Sequence, residues 1–184
     1  GKDAQQKGHW EKAEAYFADA VQRSPADERA RCGYAESLWC RGAQEQAVVH
    51  MVEAVKLSGD DPERLVQLGQ MYLAQNNLPA AMRQADRAIA ANKHLASAWG
   101  LRASVQRASG QNDEALAAYH RALSLQPHYP EAQVAVAELY NSSGRPQRAL
   151  ATLQSLAGQY PPGSVPPDVL YRQGMVLKQL GRNQ

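Results

Sequence analysis

Small residues return every 34 positions along this chain, and that recurrence limits it to a stack of like units. Alanine stands at 13, 47, 81, 115 and 149, and again at 20, 54, 88 and 122, with leucine at 156. Another series reads Gly1, Ala35, Gly69, Ala103 and Ala137, and a third reads Gly8, Gly42, Asn76, Gly110 and Gly144. Such a period marks a supersecondary unit that buries its apolar face against its neighbours. Small side chains suit close helix–helix approach and fill a thick globular core poorly, and Phe17 is the only phenylalanine. No stretch sustains the apolar–polar alternation of a strand. The chain reads as all-helical.

With Ala96 as the first position of a unit, Trp99 is fourth, Ala103 eighth, Gly110 fifteenth, Ala115 twentieth, Tyr119 twenty-fourth, Ala122 twenty-seventh and Pro127 thirty-second. Each position has a physical reason. Small residues at eight, twenty and twenty-seven let helices approach. Glycine or asparagine at fifteen accepts the left-handed backbone that ends a helix. Proline at thirty-two, in Pro25, Pro127 and Pro161, cannot continue one. Larger side chains such as Phe17, Leu65, Tyr72, Trp99 and Tyr140 fill the remaining gaps. The pattern predicts first helices over 27–41, 62–75, 95–109, 129–142 and 167–180, with second helices over 10–23, 44–57, 78–91, 112–125 and 146–159.

These residue types at these offsets resemble the tetratricopeptide repeat family, and the resemblance spans nearly the whole chain. It implies an all-α, right-handed solenoid of stacked antiparallel helix pairs. The expected organisation is one array over 1–184, with units over 1–27 (partial), 28–61, 62–95, 96–129, 130–163 and 167–184 (partial). Both ends read as cuts through a longer array. Gly59 and Lys93 stand where the closing proline belongs, which predicts less rigid junctions. Arg102 and Gln106 occupy usually apolar positions, and the frame slips through the proline-rich stretch 162–167, the one candidate linker.

Composition excludes several function classes. Twenty basic and eighteen acidic residues, for a net charge of +2, alternate along the chain, without the basic face of a nucleic-acid binder. No apolar run approaches the roughly 20 residues of a membrane span. Cys32 and Cys40 lie about 12 Å apart along one predicted helix and read as free thiols, which fits a cytoplasmic setting better than an oxidising one. No phosphate-cradling loop or paired-histidine zinc motif occurs, and Ser164 lacks the strand–turn–helix setting of a catalytic serine. The five histidines are scattered at offsets that mostly face solvent. Asn141-Ser142-Ser143 matches a glycosylation acceptor but sits at a helix end, where polar residues are needed anyway. No enzyme, metal or cofactor is expected.

What the resemblance offers instead is a groove. In this family the first helices line a concave face through positions two, five, nine and twelve, one stripe of a helix. Here the stripe reads Arg29, Cys32, Glu36 and Trp39, then Glu63, Val66, Gln70 and Leu73, then Ser97, Gly100, Ser104 and Arg107. The next unit gives Glu131, Val134, Glu138 and Asn141, and the last gives Asp168, Tyr171, Met175 and Lys178. Positions five and nine hold no Lys–Asn pair, so the carboxylate clamp of chaperone-binding members is not expected. Gly33, Gln67, Leu101, Ala135 and Arg172 at position six rule against the asparagine ladder of glycosyltransferase-linked members.

The expected function is a protein-binding scaffold that holds a peptide segment. Trp39 serves either as an anchor or as helix packing, and Gly100 leaves a depression. The acid excess on the stripe favours a neutral or basic ligand. The alternatives are a self-associating spacer, joined through open ends where some of the apolar surface of Leu170, Val176, Leu177 and Leu180 is exposed or covered by another copy, and a regulatory domain of a larger protein.

Overall fold

A computed structural model describes residues 2–181, with side chains described from His9 onward. Gly1, the first member of the position-eight series, lies outside the described residues. Among the described residues there are ten helices and no strand. They are α1 (Lys2–Arg23), α2 (Glu28–Cys40), α3 (Gln44–Leu57), α4 (Pro62–Ala74), α5 (Leu78–Ala91), α6 (Ala96–Ala108), α7 (Asn112–Leu125), α8 (Pro130–Ser142), α9 (Pro146–Ala157) and α10 (Pro167–Gln179). All but the first begin and end within two residues of expectation. The chain divides into two compact units, Gly1–Val105 and Gln106–Gln184.

Turn chemistry repeats with the sequence. Gly42, Asn76, Gly110 and Gly144 are left-handed, with φ of 88°, 57°, 77° and 72°. One residue beyond each, a backbone N–H donates back into the preceding helix: Ala43 to Leu38, Asn77 to Tyr72, Gln111 to Gln106 and Arg145 to Tyr140, at 2.8–2.9 Å. This six-to-one bond satisfies a carbonyl that the helix end would leave unpaired. The next helix starts at once, capped where the side chain allows. Asp27 accepts from Ala30 N, Asp61 from Glu63 N and Arg64 N, and Asn77 from Ala80 N. So short a turn reverses the chain and lays the two helices side by side.

Gly8 is the exception. The period expects a helix end there, yet α1 runs unbroken through it. Glycine permits a left-handed turn without compelling one.

Burial follows the small-residue register. Ala47, Ala81, Ala115 and Ala149 are fully buried, as are Ala54, Ala88, Ala122 and Leu156. In the first unit α2 packs on α3, α3 on α4 and α4 on α5, around Met51, Val55, Leu65 and Leu68. Leu101 and Val105 of α6 close on Ala81 and Ala85 of α5. In the second unit α8, α9 and α10 enclose Leu150, Leu153, Leu156, Val169 and Val176.

The irregular positions find their own solutions. Arg102 lies over the Trp99 ring, 6.0 Å from its centre, and pairs with Asp86 at 3.3 Å. Gln106 is buried with its side-chain oxygen unpartnered. After α3, Gly59 and Asp60 are both left-handed, and Asp60 N donates to Val55 O at 3.1 Å. In the proline-rich stretch a turn forms, with Ser164 Oγ donating to Pro161 O at 2.8 Å. The apolar face expected on α10 is exposed only in part. Val176 is buried, while Leu177 and Leu180 pack against the second unit's core. Of those four residues, Leu170 alone is exposed.

Candidate binding grooves on the first helices

Helical periodicity places positions two, five, nine and twelve of each first helix on one stripe, but not at one depth. Arg29, Glu36, Glu63, Gln70 and Arg107 are exposed, and Trp39, Leu73, Ser104 and Glu138 are half-buried. Cys32, Val66 and Gly100 are buried. These three therefore do not offer the surface the sequence suggested. In α2 and α4 position five turns inward, so Cys32 and Val66 join the core with Leu65 and Leu68, whereas Val134 and Tyr171 at the same position of α8 and α10 are half-buried and exposed. Gly100 is buried and has no side chain to reach the surface.

Two pockets open on this stripe, one within each unit. The first, of about 240 Å³, lies between α2 and α4. Glu36, Trp39, Gln67 and Gln70 wall it, with the buried Met51 and Met71 beneath. Trp39 packs against the core cluster, one of its two expected roles, and also lines the pocket. Gln67, at position six, is not among the expected groove residues because the stripe rule skips that position, yet it lines the pocket. It holds the site's polar network together. Its Nε2 donates to Glu36 Oε1 at 3.1 Å, and its Oε1 accepts from Arg64 Nη1 at 2.9 Å. Arg64 Nε in turn donates to Glu28 at 2.5 Å. The Cys32 thiol lies 3.6 Å from both Glu36 Oε1 and Gln67 Oε1. Burial, reinforced by the Glu36 charge, pushes its pKa up to about 11. Cys32 is an inert thiol rather than a nucleophile.

The second pocket, of about 160 Å³, lies between α8 and α10. Glu138, Asn141, Tyr171 and Met175 line it, all stripe residues, together with Arg172 and Leu153. Tyr171 and Met175 are exposed. Glu138 accepts from Arg107 at 2.9 Å and also from Arg172, which donates to Asp168 at 2.8 Å. Two arginines and two carboxylates thus neutralise one another, and Glu138 does not contribute the free negative charge expected of it.

Among the described residues no cluster of three or more His, Cys, Asp or Glu stands together to hold a metal, and no helix is long and apolar enough to cross a membrane. Four histidines are exposed. His50 is half-buried, its ring 4.5 Å from that of Tyr34, with Nδ1 unpartnered.

Two family models, each described as a tetratricopeptide repeat, match residues 1–62 and 106–164, together about two thirds of the chain. The chain belongs to the tetratricopeptide repeat family. Solved structures align along almost its whole length. A thermophilic tetratricopeptide repeat protein from Thermus thermophilus is 25% identical, with 97% of this chain and 95% of that one covered and a TM-score of 0.78. PilW, a type IV pilus biogenesis factor, is 21% identical over 100% and 84%, with a TM-score of 0.84. MamA from Desulfovibrio magneticus RS-1 is 16% identical over 84% and 88%, with a TM-score of 0.69. At such identities the likeness to PilW and MamA is one of fold. No curated protein matches the sequence significantly. Tetratricopeptide proteins generally mediate protein–protein contacts and are generally non-enzymatic.

Proposed function

We propose that this chain is a non-enzymatic scaffold that holds a peptide segment of a partner protein on the stripe of its first helices. The observation that carries the reading is the coincidence of pockets with stripe positions. Positions nine and twelve of α2 supply Glu36 and Trp39 to one pocket, and the same positions of α8 supply Glu138 and Asn141 to the other. Aromatic and methionine side chains beside polar ones are the make-up of peptide-binding surfaces, where a few aromatic anchors dominate affinity. The likeness to PilW extends to the fold and leaves the partner open.

A photo-crosslinking residue at Gln70 or Met175 tests this. It should trap one discrete protein in cells, whereas the same residue at the exposed Val49 or Ala151 of the second helices should not. Adducts from Val49 or Ala151 alone would move the binding surface off the stripe.

Self-association is the second reading. It is favoured by Leu170, Tyr171 and Met175, which are 51%, 67% and 50% exposed on α10. Sedimentation at several concentrations separates the two, because a monomer throughout the range excludes the second.

A further inference from the structure

The pocket of the first unit carries enough chemistry to name the side chain it selects, an inference that rests on the scaffold reading above. Its volume of about 240 Å³ falls below the ~300–1,000 Å³ of pockets that enclose whole small molecules, so one side chain of a bound segment fills it. The electrostatics then narrow the choice. Glu36 is exposed and takes hydrogen bonds from the Gln67 amide and the Cys32 thiol, both neutral donors. Among the described residues no lysine, arginine or histidine pairs with it. The nearby Arg64 is held by Glu28 at 2.5 Å, and its remaining contact is to Gln67 Oε1. That contact fixes which end of the Gln67 amide faces Glu36. The carboxylate is therefore oriented before any ligand arrives, with no basic side chain among the described residues set against it.

Against this rim lie the Trp39 ring and, beneath it, Met51 and Met71. An aromatic wall and an apolar base with a carboxylate at the rim suit an aliphatic stem that ends in a cation. The stem covers apolar surface while the head meets the carboxylate and the ring face. The geometry points to a lysine or arginine side chain of the partner segment as the occupant. The second unit shows the contrast. Its position-nine carboxylate, Glu138, already has Arg107 and Arg172, so its pocket has no charge to spend on a basic residue.

The test uses short labelled peptides of alanine, serine and glycine with a central lysine, arginine, leucine or glutamate. Each is titrated into the full chain and into Glu36→Gln, with anisotropy and the Trp39 indole N–H resonance as readouts. Glu36→Gln keeps the acceptor for Gln67 and removes only the charge. Lysine and arginine peptides should bind at least about fivefold more tightly than leucine or glutamate ones, shift the Trp39 resonance and weaken as salt rises. Glu36→Gln should erase that preference and leave the leucine peptide unchanged. If peptides bind and shift Trp39 without charge preference, or if Glu36→Gln retains the preference, the basic-residue pocket falls while the scaffold reading stands. If no peptide of any kind binds, the two fall together.

Discussion

Replacing Gly69 with alanine sets helix propensity against packing, and the structure decides the sign. Gly69 lies in the middle of α4, where alanine is worth about 1 kcal/mol more than glycine in intrinsic helix stability. A Cβ there would stand 2.3 Å from Leu101 Cδ2, 3.2 Å from Gln84 Cβ and 3.5 Å from the Ala81 carbonyl. Leu101 is itself buried, packed with Ala81, Ala85 and Val105, so its tip has no open space to enter. Gln84 Cβ is tied to the α5 backbone. Overpacking of this kind costs about 1–3 kcal/mol. Subtracting the propensity gain leaves a net destabilisation of about 1 kcal/mol.

The control is Gly174→Ala in α10, an exposed site with nothing within 4 Å of the added carbon. That change should stabilise by about 0.5–1 kcal/mol. Stacked repeats need not unfold as one cooperative unit, so each effect is best read locally by amide hydrogen exchange in α4 and α10. Exchange should quicken in α4 of Gly69→Ala and slow in α10 of Gly174→Ala. Equal slowing in both would refute the close approach of α4 to Leu101.

Ala122 is fully buried and Ala117 exposed, so Ala122→Leu should cost about 1–3 kcal/mol of chemical-denaturation stability and Ala117→Leu far less. Cys32 is buried with its thiol raised to about 11, while Cys40 is exposed, so iodoacetamide at mildly alkaline pH should alkylate Cys40 and spare Cys32 until the chain unfolds. His50 has its pKa lowered from 6.5, by burial first and the Arg31 charge second. The unfolded chain therefore binds that proton more readily, and stability present at neutral pH should fall as pH drops below 6.5 toward the folded value. His50→Gln should remove that part of the acid sensitivity, and a ring resonance titrating at or above 6.5 would contradict it.

The structure also changes how the Trp39 anchor should be probed. Trp39→Ala should weaken partner binding by about 2 kcal/mol or more. It should not leave melting unchanged, because Trp39 also packs against the first unit's core. Charge-only variants at Glu36 separate binding from stability where the tryptophan cannot.

Local and near-periodic features were legible in the sequence because each is set by a residue's own chemistry. Left-handed turns at Gly42, Asn76, Gly110 and Gly144, fully buried alanines at 47, 54, 81, 88, 115, 122 and 149, and the boundaries of nine helices all follow from backbone tolerance, side-chain size and the period. Where a residue's role depends on what faces it across helices, the linear pattern could not decide. Position eight accepts alanine as Ala35, Ala103 and Ala137, yet at Gly69 the room is taken by Leu101, a residue of the next repeat. The stripe rule gave the helix face but not the depth, so Cys32, Val66 and Gly100 proved buried while Gln67, off the stripe, orients Glu36. Charge counting saw Glu36 and Glu138 as equals. Only the packing of α8 beside α10 gives Glu138 a second arginine, while among the described residues no arginine pairs with Glu36, because an ion pair is a matter of distance and sequence offset does not fix that distance.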